Sequence, residues 1–254
     1  MTYNIQKASM WKRISAYLCD SLILLLVVAE IAFLLSLAFN FNGTVDKRNE
    51  IREQYEEFYG VDFDITQEDY DKLSKDEINY LNDAYAAFVT DAEVTKTDEV
   101  LFNMSLMIAT FSILIAYILL EFLVPLLFRN GQTLGKKIFS VAVVRVDCVR
   151  ITPIQLFIRT VLGKCTVETL IPVFLLFLLF LNVMPLFCIL GAALLLILQF
   201  ICLVATKFHT PLHELMSATI SVDMTSQTIF NTPEALLEYT KQIHAQEAER
   251  AEYF

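Results

Sequence analysis

The sequence lacks the patterns by which common metal and disulfide sites are recognised. Glycine and proline are scarce, with six of each in 254 residues, and the five cysteines form neither a pair of CxxC motifs nor a Cys/His set. The cysteines are therefore interpreted as small apolar side chains. The acidic part of the chain has no EF-hand spacing, which argues against a calcium loop. We predict no metal site and no cofactor.

Two segments come close to catalytic motifs and depart from them at decisive positions. Residues 131–137 (GQTLGKK) place three residues between the glycines, whereas a phosphate-binding loop needs four, with Ser or Thr after the lysine. His209 and His213 are four residues apart, but Ser217 stands where a His-Glu-x-x-His metalloprotease has its last histidine. No nucleophile and base pattern stands out. The sequence therefore predicts a protein that is not an enzyme.

Apolar residues dominate what is present. They make up 56% of the chain, and the mean hydropathy of +0.54 is too high for an ordinary soluble domain. The net charge of -10 is concentrated in residues 42–100, which hold 17 acidic and 6 basic side chains. This distribution predicts one membrane domain with a soluble, helical insertion.

Three long apolar runs occupy residues 16–39, 101–128 and 170–205. About 20 apolar residues suffice for a helix to cross the hydrocarbon of a bilayer. The first run exceeds the core of about 7–15 residues of a cleaved signal peptide, so it is interpreted as an uncleaved span. The last run would form one helix of roughly 54 Å, longer than a bilayer of about 40–45 Å. Asn182 and Pro185 divide it in two.

The predicted fold class is an all-α membrane protein with four transmembrane helices, short interfacial elements and a helical extracytoplasmic insertion. The third span is short, and a re-entrant hairpin stays open as an alternative. No internal repeat is visible, which argues against an inverted-repeat transporter within one chain. The predicted segments are 1–41 (first span at about 16–39), 42–100 (insertion), 101–128 (second span), 129–166 (basic hairpin and interfacial helix), 167–206 (spans at 167–183 and 185–206) and 207–254 (tail with a helix at about 233–253).

Basic residues predict the orientation. Residues 129–164 carry seven Lys and Arg and one acid, the reverse of the insertion, so the positive-inside rule places both termini in the cytoplasm. Arg129 and Lys207, which follow the second and fourth spans, agree with this. Residues 141–151 alternate in part and predict a small β-hairpin. Residues 154–164 place their apolar side chains on one helix face, as an interfacial helix does.

Ionisable side chains inside the spans are the most informative feature, because a charge at the centre of a bilayer costs roughly 3 kcal/mol or more. With the N-terminus inside, a layer of polar groups is predicted at one depth near the cytoplasmic side, and its members are Asp20, Glu121, Glu168 and Gln199. Arg13 lies two turns before Asp20 on the same face. Glu30 lies about 15 Å further out. Two interpretations stay open: an Arg13–Asp20–Glu121 joint between helices, or a cation or proton site with Glu30 as a second station.

Several segments together resemble the RDD family of membrane proteins. Arg13 and Asp20, seven apart, resemble its first-helix motif, and GQTLGK in residues 131–136 resembles its signature after the second helix. The matching positions are Arg13, Asp20, Gly131, Gln132, Thr133, Gly135, Lys136, Arg159, His213, Glu214 and Thr219. Glu214 stands where the family usually has Asp. The insertion and the tail after about residue 224 lie outside the pattern.

The resemblance implies a bacterial cytoplasmic membrane protein. It also implies a possible transport activity, because some RDD members exchange Na⁺ or other cations for protons. We predict monovalent cation/proton antiport through buried carboxylates, in a homo-oligomer because four helices offer little room for a path. The alternative is a non-transporting interaction protein, with an immunity, envelope-stress or accessory role, that binds an external protein through residues 42–100. The predicted partners are membrane lipid, whose phosphates would contact Lys136 and Lys137, and monovalent cations or protons, with no nucleic acid.

Overall fold

The computed structural model describes residues 5–128, 130–206 and 209–252 and is 75% helical. It divides into a main unit (Met1–Ala29 and Ile113–Phe254) and an insertion unit (Glu30–Ser112). The elements run in the order α1 (Met10–Ala38), α2 (Phe41–Tyr59), α3 (Gln67–Tyr70), α4 (Lys75–Thr90), α5 (Ala92–Phe128), α6 (Leu134–Ile138), β1 (Val141–Arg145), α7 (Pro153–Phe180), α8 (Pro185–Ala205), α9 (Leu212–Met216), β2 (Thr219–Asp223) and α10 (Pro233–Glu252).

Four helices within the described residues, α1, α5, α7 and α8, are long and apolar enough to cross a membrane. The prediction of an all-α membrane protein with four such helices is confirmed. Three of them begin earlier than the apolar runs, because polar turns at their N-termini continue the same helices. The predicted interfacial helix at 154–164 is thus the beginning of α7, where Thr152 and Gln155 form a capping box and Pro153 occupies the first turn.

Both long central helices contain a wider, π-helical stretch. In α5 it covers Ile118–Leu123, and in α7 it covers Ile158–Leu170. Such i→i+5 segments are uncommon and occur often at functional sites. The break predicted in the last apolar run lies between α7 and α8, where Asn182 and Met184 adopt positive φ values of 56° and 45°.

The small sheet corrects the predicted hairpin at residues 141–151. β1 pairs antiparallel with the distant β2, with Val143 opposite Ser221, while only an isolated bridge joins Val144 to Arg150. β1 is buried on both faces, and Ala142, Val144, Ile220 and Val222 form one apolar cluster. A strand covered on both faces does not alternate, so its pattern could not identify its partner.

The insertion unit is a small helical body, as predicted for residues 42–100. Ile51, Phe88 and Val94 form its buried cluster, and Ser74 and Glu77 make a capping box at the start of α4. An ion pair between Arg48 and Asp98, with N and O atoms 2.5 Å apart, links α2 to α5.

The predicted tail helix is present as α10. The predicted helix end near residue 253 and the orientation signals from Arg129 and Lys207 fall outside the described residues.

Candidate functional site

A half-open cavity of about 350 Å³ lies within the main unit. Side chains of α1, α6, α7, α8, α9 and both strands line it. Its ionisable lining consists of Arg13, Asp20, Lys136, Arg159, Lys164, Glu168, His209, His213 and Glu214. Most positions of the family pattern therefore converge on one cavity, although they are spread over some 200 residues of chain.

Asp20 is held by the segment that carries the GQTLGK motif. Its carboxylate accepts a hydrogen bond from the backbone N–H of Gly135 at 2.7 Å and another from the Thr133 hydroxyl. Thr133 is also the N-cap of α6. A Cβ on Gly135 would lie 2.5 Å from the carbonyl oxygen of Ala16, so only glycine permits this approach. The motif thus forms a cradle for Asp20 rather than for a phosphate.

Gln132 and Gly131 shape the turn before the cradle. Gln132 Nε2 donates to the carbonyl of Val141 at 2.9 Å. Gly131 has a φ of 63°, and a Cβ there would lie 2.9 Å from the carbonyl oxygen of Val143. These contacts fix the loop against β1.

Asp20 is 7% exposed and, unlike the other cavity carboxylates, belongs to no ion pair among the described residues. The predicted Arg13–Asp20–Glu121 joint is therefore absent. Arg13 instead points to the carbonyl of His209 at 3.5 Å and to Glu214, whose Oε2 lies 3.6 Å from Nη2.

Arg159 and Glu214 form the most buried ion pair, with Nη2 and Oε1 3.1 Å apart. Arg159 also donates to Thr219 Oγ1 at 2.9 Å, and the Ser221 hydroxyl donates to Glu214 Oε1 at 2.5 Å. Burial opposes ionisation of Glu214, but the charges of Arg159, His213 and Arg13 outweigh it and hold its pKa below the usual range. The Arg159, Glu214 and Thr219 positions therefore tie α7 to α9 and β2.

Within this network Glu214 Oε2 differs from Oε1, which accepts hydrogen bonds from Arg159 and Ser221. Oε2 is buried and accepts no hydrogen bond from any described residue. A buried carboxylate oxygen without a donor is costly.

Glu121 pairs with Lys164 rather than with Arg13. Its carboxylate accepts a hydrogen bond from the Lys164 ammonium, and its backbone carbonyl accepts one from Thr160 at 3.0 Å. Glu121 and Lys164 lie in the π-helical parts of α5 and α7. Lys164 was not among the candidate residues of the sequence analysis, so this pair was not predicted.

Glu168 and Gln199 hold the start of α9. The His213 backbone N–H donates to Glu168 Oε1 at 3.0 Å, and His213 Nδ1 lies 2.7 Å from Oε2. Gln199 Oε1 accepts from the Leu212 N–H at 3.1 Å. Burial, assisted by the charge of Arg159, lowers the pKa of His213 despite the attraction of Glu168. Of the predicted polar layer, Asp20, Glu168 and Gln199 line the cavity, and Glu121 stands behind Lys164.

Lys136 and Lys137 have different surroundings. Lys136 is half-buried and lines the cavity, where burial lowers its pKa to about 8; Glu121 opposes this shift, and Lys164 adds to it. Lys137 is exposed, with its ammonium 3.8 Å from the centre of the Phe128 ring. Only Lys137 therefore has the surface position predicted for both.

Glu30 belongs to the insertion unit, and its side chain is exposed. It does not line the cavity of the main unit. Within the described residues, no group of three or more His, Cys, Asp or Glu is arranged to hold a metal ion.

Comparison with known proteins supports the resemblance seen in the motifs. The model of the RDD family matches residues 7–213. No curated protein and no solved structure matches the chain. Glu214 and Thr219 lie just beyond the matched range, yet both contact Arg159 inside it. The match covers most of the chain, and the chain therefore belongs to the RDD family of membrane proteins.

Proposed function

We propose that the protein exchanges a monovalent cation for protons, with Asp20 as the carboxylate that binds the cation. The observation that carries this proposal is the contrast among the buried carboxylates. Glu121, Glu168 and Glu214 each have a basic partner, whereas Asp20 lines the cavity with only neutral donors. Lys136 and Lys164 attract the Asp20 carboxylate, but neither forms an ion pair with it among the described residues. Asp20 is therefore able to bind a cation or a proton, and the two compete for it.

The chemistry of the cradle suits a small cation. Carboxylate and hydroxyl oxygens are hard ligands of the kind that alkali and other hard cations take, and Asp20 and Thr133 supply both types. The cavity gives a cation room to keep part of its hydration shell. Dry packing around Asp20 would have favoured a purely structural role.

The positive-inside rule gives the proposed topology. The protein spans a bacterial cytoplasmic membrane several times, with both termini in the cytoplasm and the insertion unit outside. The cavity then faces the cytoplasmic side. Glu30, about 15 Å further along α1 than Asp20, is a second carboxylate that binds the cation or proton. A homo-oligomer would supply the path that four helices alone do not.

Exchange by proteoliposomes tests the proposal. A preset pH gradient should collapse on addition of Na⁺, K⁺ or Li⁺ to the wild-type protein. Asp20→Asn keeps an acceptor for the Gly135 N–H, and its amide N–H can donate to the Thr133 hydroxyl in place of the bond that Thr133 donates in the wild type. The change removes the charge, so exchange should fall to the background of empty vesicles. Asp83→Asn, an exposed residue of the insertion unit, is the matched control and should exchange normally. Full exchange by Asp20→Asn would refute the assignment.

A second function, binding of an external protein by the insertion unit, is favoured by two observations. Phe58 is 82% exposed on the acidic helix α2. A groove of about 490 Å³ in the same unit is lined by Asp62, Asp76, Leu81 and other residues. An exposed aromatic ring among carboxylates suits a basic partner with an apolar anchor. Deletion of residues 45–97 should abolish recovery of a crosslinked partner from cells, while unchanged recovery would contradict this role.

A further inference from the structure

The ion pairs of the cavity leave one positive and one negative side chain over. The lysine and arginine side chains that line the cavity and belong to ion pairs are Arg13, Arg159 and Lys164. The Lys136 ammonium lines the same cavity and takes part in no ion pair or hydrogen bond within the described part of the chain. Asp20 has the matching position among the carboxylates, since Glu168 and Glu214 each have a basic partner.

The chain brings these two side chains close together. Gly135 donates its backbone N–H to Asp20 Oδ1 at 2.7 Å, and Lys136 is the next residue of α6. Consecutive Cα atoms are about 3.8 Å apart, so the carboxylate lies within reach of the four-carbon stem of Lys136. The two opposite charges attract each other across the cavity.

A second carboxylate also attracts the Lys136 ammonium. Glu121 and Asp20 attract it, whereas Lys164 and Arg159 repel it. The Glu121 carboxylate is already bound by the Lys164 ammonium. Lys136 therefore has two acidic neighbours, and no hydrogen bond among the described residues fixes its ammonium to either of them.

We propose that Lys136 is a tethered competitor of the cation: its ammonium neutralises Asp20 when no cation is bound, and the cation displaces it. A cation on the Asp20 carboxylate repels the ammonium, and the attraction of Glu121 offsets part of that repulsion. The competition lowers the affinity of the site and speeds release of the cation. This inference rests on the proposed function, because it concerns how Asp20 binds and releases its cation.

Calorimetric titration of the full-length protein in detergent with NaCl, KCl and LiCl tests the proposal. The titrations are made at pH 7 and at low ionic strength, held constant with choline chloride. Lys136→Gln removes the competing charge, so affinity for the cation should rise about tenfold, as expected when one nearby repulsive charge is lost. Lys136→Arg keeps the charge and should bind as the wild type does. Lys137→Gln, the matched control at an exposed lysine, should also leave the affinity unchanged.

A gain of affinity separates competition from a structural role, because damage to the fold weakens binding. Equal or weaker binding by Lys136→Gln, with wild-type binding that depends on Asp20, would overturn this inference and leave cation exchange standing. If the wild type binds none of the three cations, or Asp20→Asn binds them equally well, the proposed function is wrong and the competition with it.

Acetylation of the wild-type protein decides if Lys136→Gln fails to fold. Acetic anhydride is applied in NaCl or in choline chloride, and mass spectrometry gives the labelling of Lys136 relative to Lys137. Displacement from Asp20 should raise this ratio in NaCl, and Asp20→Asn should abolish the difference. A ratio that is the same in both salts for the wild type would overturn the inference.

Discussion

Arg13 faces Glu214 across 3.6 Å, rather than Asp20, its neighbour two turns along α1. Residues seven apart share a helix face, but a shared face does not bring two side chains into contact when each finds a partner on another element. Glu214 thereby receives two guanidinium groups, one from Arg13 and one from Arg159. This relationship makes the carboxylate of Glu214 the connection between α1, α7 and α9.

Glu214→Gln should destabilise the protein by about 3–5 kcal/mol, because it leaves two guanidinium groups without a counter-charge. Glu214→Asp keeps the carboxylate with a shorter reach and should cost less than half as much. Denaturant unfolding in mixed micelles measures both variants. Equal stability of Glu214→Gln and wild type would show that the pairs contribute little.

Gly135→Ala should destabilise the fold by roughly 1–3 kcal/mol, since its Cβ meets the backbone of Ala16 and the Asp20 carboxylate. Gly191→Ala is the matched control, because the nearest atom there is the flexible end of Leu175 at 3.2 Å. The thermal midpoint of the purified protein should fall for the first variant and change little for the second. Equal shifts would mean that the close approach of α6 to α1 is not required.

Lys164→Met should cost about 3–5 kcal/mol because the Glu121 carboxylate remains buried and unpaired. The double variant Glu121→Leu/Lys164→Met removes both charges and should recover most of this loss. A double-mutant cycle on the free energy of unfolding gives the coupling. Additive effects of the two changes would contradict the pair.

His213 makes stability depend on pH in mildly acidic solution. Its pKa in the folded protein lies below the usual value of 6.5, so the unfolded chain takes up a proton first as the pH falls. Stability is therefore complete above about pH 6.5 and declines below it. The thermal midpoint should drop between pH 7.5 and pH 5.5. His213→Gln should flatten this decline.

His209→Gln controls for the other histidine of the same segment, which is exposed and makes no ion pair within the described residues. It should keep the wild-type decline. If the acid decline of the thermal midpoint persists in His213→Gln and disappears in His209→Gln, the effect comes from His209 and the prediction for His213 is wrong.

The apolar runs predicted the helices because burial in lipid demands long uninterrupted segments, and a break at Asn182 and Pro185 is visible locally. The partners of the buried charges were not predictable in the same way. Asp20 and Thr133 are 113 residues apart, and periodicity says which face a residue occupies but not which element covers it. The GQTLGK motif identified Thr133 and Gly135 as family positions. Its sequence does not reveal that both residues donate hydrogen bonds to the Asp20 carboxylate.

The spacing of Arg159 and Lys164 was a further obstacle. Five residues correspond to about 140° around an α-helix, so the two would point in different directions. The π-helical stretch of α7 has i→i+5 hydrogen bonds and turns both towards the same cavity.

The π-helical stretch of α7 also determines how the protein would respond to the deletion of a residue there. Shortening the Ile158–Leu170 stretch by one residue would rotate everything on one side of the deletion by about 100° relative to the other. Arg159 or Lys164 would then leave its acidic partner. Relatives that keep both pairs must therefore keep the length of this stretch, whereas its exposed side chains are free to vary.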